Sequence, residues 1–119
     1  RFVADFIGDS NIIEGTMIKD YLVKFDDREF ECVDHGFDED MDVDIVIRPE
    51  DIKIVAAGEG MITGLVESSL FKGVHYEIVV KSLHRDYIIH TTTNVQEDTE
   101  VDIVFSPEDI HVMYTLESY

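Results

Sequence analysis

Val43-Asp44-Ile45-Val46-Ile47-Arg48-Pro49-Glu50-Asp51-Ile52 returns 58 positions later as Val101-Asp102-Ile103-Val104-Phe105-Ser106-Pro107-Glu108-Asp109-Ile110. The two stretches differ only at Ile47 against Phe105 and Arg48 against Ser106. A copy of this length inside one chain marks an internal duplication, which bears on architecture before it bears on chemistry. In each copy aliphatic residues alternate with Asp or a second aliphatic, the pattern of a strand with at least one buried face. Proline then ends the ladder. Pro49 and Pro107 have no backbone donor and a fixed φ, so Pro-Glu-Asp reads as a tight turn or a single helical turn. Ile54-Val55 and Val112-Met113 follow as short apolar strands, making the repeated unit a strand, an acidic proline turn and a second strand.

Outward from the first copy, Phe2, Val3, Phe6 and Ile7 fall at helical spacing and stop at Gly8, predicting a short N-terminal helical segment. Residues 11–18 then read as a strand with Gly15 as its bulge, followed by a strand over 21–25, a turn at Asp26-Asp27 and a strand over 30–33. His35 to Asp40 is a polar loop. The small-residue stretch Ala56-Ala57-Gly58-Glu59-Gly60 falls between the copies and is expected to connect two half-domains. The second half continues with strands over 61–70, 75–83 and 87–93, with Phe71-Lys72-Gly73-Val74 as a turn. No long helical period occurs. Short strands at regular spacing, with Gly and Asp at the breaks, predict an all-β fold: a small β-barrel or sandwich built from half-repeats at about 9–57 and 61–119. Two such halves can exchange strands and close one another's edges.

Of the 119 residues, nine are basic and 27 acidic, a formal charge of −18. That field repels phosphate and disfavours a nucleic-acid surface, which needs clustered Lys or Arg. The single cysteine, Cys32, leaves no intrachain disulfide and no Cys-based zinc pair. Arg1-Phe2-Val3-Ala4 has neither an initiator Met nor a signal pattern, so a piece of a longer protein is expected.

Candidate chemistry is sparse. Asp40-Met41-Asp42-Val43-Asp44 opens like a calcium loop, but Ile45 stands where the sharp turn needs Gly and Asp51 where the loop needs Glu. His35, His75, His84, His90 and His111 show no paired ligand spacing. Gly58 to Gly64 lacks the Lys-Ser/Thr ending of a phosphate loop. No nucleophile or acid–base couple stands out, so catalytic, cofactor and metal residues are expected to be absent. Phe71-Lys72-Gly73-Val74-His75-Tyr76-Glu77 is the densest aromatic and basic cluster. It reads either as a contact surface or as a hairpin whose Phe71 and Tyr76 pack inward. Arg48 is specific to the first copy of the repeat, whereas the turn it precedes belongs to both.

Phe2 to Asn11, Val46 to Ile52 and Phe71 to Glu77, in that order, resemble the C-terminal region of ABC-importer ATP-binding subunits. The Arg-Pro-Glu stretch is shared by importers of sugars and iron, and Phe-Lys-Gly-Val-His-Tyr-Glu points to the polyamine importers. The resemblance implies an OB-like accessory domain, regulatory and non-catalytic, with ATP and Mg bound by an ATPase domain outside this chain. Its implied partners are that ATPase domain, a second ATP-binding subunit and the membrane permease subunits, with no nucleic acid. The implied location is cytoplasmic, at the inner face of the cell membrane. Arg48, Glu50 and Asp51, with Phe71, Lys72, His75 and Tyr76, are the interface and regulatory candidates. A second reading has the acidic surface sense the transported cation, with Tyr21, Tyr76 and Asp26 as its residues.

Overall fold

The computed structural model describes residues 10–114, and the N-terminal helical segment expected at Phe2–Gly8 lies outside them. The first half holds β1 (Asn11–Lys19), β2 (Leu22–Phe25), β3 (Arg28–Glu31), β4 (Met41–Ile47), a 3₁₀ turn (Pro49–Asp51) and β5 (Lys53–Ala56). The second holds β6 (Ile62–Phe71), β7 (Tyr76–Ser82), β8 (Asp86–Thr91), β9 (Glu100–Val104), a 3₁₀ turn (Pro107–Asp109) and β10 (His111–Tyr114). The repeated stretch thus folds as read: strand, one turn of 3₁₀ helix forced by proline, strand.

These elements form two antiparallel sheets, ordered β10-β4-β1-β2-β3 and β5-β9-β6-β7-β8. Position for position the two orders are the same, with one exchange. β5, which ends the first half, pairs with β9 of the second; β10, which ends the second, pairs with β4 of the first. The chain accordingly divides into two compact units at Ile47/Arg48 and at Phe105/Ser106. The stretch Ala56–Gly60 joins β5 to β6 inside the second unit, so it does not separate the units as its composition suggests.

The central strands explain the repeat. β4 is buried from Val43 through Ile47 and β9 at Val101, Asp102 and Ile103, so side chains on both faces of each strand are covered. Fully burying an aliphatic side chain of this size contributes about 1.5–3 kcal/mol. Asp44 and Asp102 share that burial at 2% and 3% exposure. Asp102 is satisfied by Gly60 N–H at 2.9 Å and by the Thr63 hydroxyl at 2.7 Å, as a buried carboxylate requires.

The duplication extends beyond the residues that reveal it. β1 slips register between Met17 and Lys19, and β6 does so between Val66 and Ser68, so each long strand bulges at the same place. Val23 and Val80 face those bulges, and Phe30 and Tyr87 pair with the two valines and are buried in turn. Gly15 is not the bulge. It serves close approach instead: a Cβ there would lie 2.5 Å from Ile45 Cδ1 and 2.7 Å from the Lys24 carbonyl oxygen. Gly64 opposes Val101 as Gly15 opposes Val43, and meets the same obstruction from Val80 Cγ1 at 2.5 Å and the Lys81 carbonyl oxygen at 2.9 Å. Asp26 and Asp27, at φ 51° and 62°, form the two-residue turn that suits the twist of the β2–β3 hairpin.

Candidate functional site

All seven residues that the sequence singles out as interface candidates fall in the second unit. Arg48, Glu50 and Asp51 sit at the first proline turn. Arg48 occupies the N-cap position with extended backbone and makes no side-chain cap, and its side chain is exposed; Pro49 behind it is buried. The equivalent turn in the first unit is built differently. Ser106 and Asp109 form a reciprocal capping box there, with Ser106 N–H donating to Asp109 Oδ2 at 2.8 Å. Arg48 therefore stands where a small polar residue serves the local structure better.

Glu50 lines a cleft of about 400 Å³ between the proline turn and β5 on one side and the end of β8 on the other. Lys53 and Ile54 come from the first side; His90, Thr91, Thr93 and Val95 come from the second. His90 ties this cleft to the other group of candidates. Its ring lies 4.2 Å from that of His75, and its Nε2 is 3.4 Å from Glu77 Oε1. Glu77 Oε2 is in turn 4.0 Å from Lys72 Nζ. Lys72 and His75 close the β6–β7 turn through a 2.8 Å bond from Lys72 N–H to the His75 carbonyl, across Gly73 at φ 96°.

Phe71 does not pack inward, and Tyr76 is half-buried. Their rings meet each other at 5.0 Å, leaving Phe71 56% and Val74 81% exposed, so the β6–β7 hairpin presents an apolar end to its surroundings. Phe71 and Tyr76 are the last pair of the β6–β7 ladder, next to the turn. His90, Lys53, Thr91 and Thr93 were not singled out by sequence reasoning. His90 carries no motif of its own, and only the β7–β8 register, which sets it opposite Glu77, gives it a partner.

The residues of the cation-sensing reading are not gathered. Tyr21 precedes β2 and Asp26 follows it, at opposite ends of a four-residue strand of roughly 13 Å. Tyr76 belongs to the other unit. Tyr21 borders a second cleft, of about 440 Å³, with Lys19, Asp20, Glu31, Cys32 and Pro107. Of the calcium-like Asp run, Asp42 and Asp44 lie within β4, one exposed and one buried. Among the described residues no group of three His, Cys, Asp or Glu side chains is arranged to hold a metal ion, and no helix is long and apolar enough to cross a membrane.

The sequence model of the TOBE domain matches residues 45–113, which run from β4 to β10. The spermidine/putrescine import ATP-binding protein PotA of Aster yellows witches'-broom phytoplasma is 60% identical over 113 residues, covering 95% of this chain and 27% of that protein. The protein of the same name from Clostridium novyi is 54% identical over 112 residues, covering 94% of this chain and 32% of that protein. The chain thus spans about a third or less of the length of these relatives. Among solved structures, the cytoplasmic molybdate-binding protein ModG with molybdate bound superposes with a TM-score of 0.75, covering 88% of this chain and 96% of that one. At 9% identity that likeness speaks to the fold alone. The all-β architecture, the duplicated strand and proline turn and the match over residues 45–113 converge: this chain belongs to the TOBE domain family.

Proposed function

We propose that this chain is the accessory, non-catalytic interaction and regulatory domain of the ATP-binding subunit of a polyamine importer. The observation that carries the reading is the 60% identity, over 95% of the chain, with a spermidine/putrescine import ATP-binding protein. On this reading ATP and Mg are bound by the ATPase domain of the same subunit. The other partners are a second ATP-binding subunit and the membrane permease subunits, assembled at the cytoplasmic face of the membrane. Arg48 supports a contact role because it gives up a local cap and stays exposed, and the exposed end of the β6–β7 hairpin supports a second contact through Phe71.

The test is made in the complete subunit, with Arg48→Ala and Phe71→Ala measured for subunit pairing and for transport-coupled ATP hydrolysis. Each variant is expected to lower one of the two readouts by roughly tenfold, the scale of a single interface contact worth 1–2 kcal/mol. Both variants unchanged in both readouts would overturn the reading.

A further inference from the structure

The two units differ where their sheets leave open edges. In the first, β3 and β10 are the edge strands. Asp34, beyond the end of β3, accepts the Val112 N–H of β10 on Oδ2 at 2.9 Å, so one carboxylate spans the gap between the edges. In the second unit the edge strands are β8 and β5, and Ile54 of β5 holds the position of Val112. It lies opposite Ile103 of β9 as Val112 lies opposite Ile45 of β4. Met61 donates to the Ile103 carbonyl from the β6 side, so the backbone groups of Ile103 face β6, and Ile54, opposite, directs its N–H away from β9. Among the described residues no carboxylate bridges this gap to the Ile54 N–H, although Glu50 stands at its rim. From the last residue of β8 the chain reads Thr91-Thr92-Thr93-Asn94-Val95-Gln96, with no acid before Glu97, and the gap is the 400 Å³ cleft.

We propose that this cleft binds an extended segment of a partner protein that carries an Asp or Glu, seating the carboxylate on Ile54 N–H as Asp34 is seated on Val112 N–H. The surroundings fit that chemistry. The exposed Lys53 brings a positive charge to the rim, and the Thr91 and Thr93 hydroxyls are further donors. Ile54 and Val95 supply an apolar lining for the residues on either side of the acid, which a free oxyanion would leave wet. Glu50 at the rim disfavours a second acid in the segment. Extended segments that add to a sheet edge take affinity from backbone hydrogen bonds and specificity from such side-chain pockets.

The experiment follows the Ile54 amide of this chain by NMR during titration with the acetylated, amidated pentapeptide Thr-Val-Asp-Val-Thr. The expected result is a saturable shift at Ile54, with binding weakened about tenfold when Asp is replaced by Asn in the peptide, since the charge-assisted hydrogen bond becomes a neutral one. Thr91→Asp should abolish binding by placing a carboxylate of the chain's own in the cleft. Lys53→Ala, at an exposed position that leaves the core intact, should weaken it several-fold and serves if Thr91→Asp does not fold. No shift at Ile54 at millimolar peptide, or equal binding of the Asn peptide, would overturn the proposal. So would sulfate or molybdate alone shifting Ile54 and displacing the peptide, since the cleft would then be a free-oxyanion site.

Discussion

Ser106 and Arg48 hold the same place at the entry to the two proline turns, and only Ser106 is used by its turn. The same contrast recurs across the units. In the first, a capping box closes the turn and Asp34 ties the two sheet edges together. In the second the cap is absent, the edge gap is an open cleft and the hairpin end is apolar and exposed. Charge follows the same line: the described part of the first unit holds 14 acids and three bases, the second unit 10 acids and five bases. One frame occurs twice, and one copy has local stabilising devices that the other lacks. Local structure relinquished at an exposed position is where contact with something else is expected.

The equivalence of the frames is tested by its largest effect. Phe30 and Tyr87 are buried aromatic residues at matching register, each paired with the valine that faces the bulge. Phe30→Ala and Tyr87→Ala are each expected to lower unfolding stability by about 3–5 kcal/mol. Measured by urea denaturation, similar losses would support one duplicated core position. A loss under about 1 kcal/mol at either site would mean that the match in register is not a match in packing.

Much of this was legible in the sequence, and what was not has identifiable causes. The repeated stretch shows itself because its strands are central, and burial on both sides constrains nearly every residue. Outside that stretch the two copies share little sequence, so the kinship of Val23 with Val80 and of Phe30 with Tyr87 appears only in the register. Gly15 invited the wrong account because a bulge and a close backbone approach both call for glycine, and the real bulges, at Ile18 and Glu67, have no compositional mark. Ala56 to Gly60 misled for a topological reason: the repeats end in sequence where β5 ends, but β5 pairs with the other repeat. The sequence reads Phe71 as part of the turn, whereas β6 runs through Phe71 and pairs it with Tyr76; which way a residue at the end of a ladder faces has no mark in the sequence. The bond from Val112 to Asp34 spans 78 residues and has no local signature at all.

A smaller effect sharpens the contrast between the turns. Arg48→Ser gives the first proline turn the residue that caps the second, with Asp51 already standing where Asp109 stands. The change is expected to stabilise the chain by about 1 kcal/mol, and Ser106→Arg to destabilise it by a similar amount. If Arg48→Ser leaves the urea midpoint unmoved or lowers it, Arg48 has a local role that its exposed, uncapped position does not show. A stabilised Arg48→Ser subunit that pairs or transports poorly would separate the contact function from folding.

The smallest effect belongs to the first unit. Cys32 follows β3 and is 4% exposed. Burial raises its thiol above the ordinary range; a backbone hydrogen bond at Asp34 opposes this, and the Asp34 carboxylate adds to the rise. In the unfolded chain the thiol ionises near its ordinary value of about 8.5, while in the folded chain it stays protonated. Between the two values the unfolded state has lost a proton that the native state retains, so stability falls as pH climbs through that window. Below it the contribution is constant. Urea unfolding of the wild type and Cys32→Ala from neutral to alkaline pH should show the wild type losing stability more steeply above about pH 8.5, with the curves parallel below. Parallel curves throughout would mean that the thiol is as free to ionise in the fold as outside it, and that the ground between Cys32 and Asp34 is open to water. In that case the contrast between the units at this edge would rest on the Asp34–Val112 bond and not on exclusion of water around the thiol.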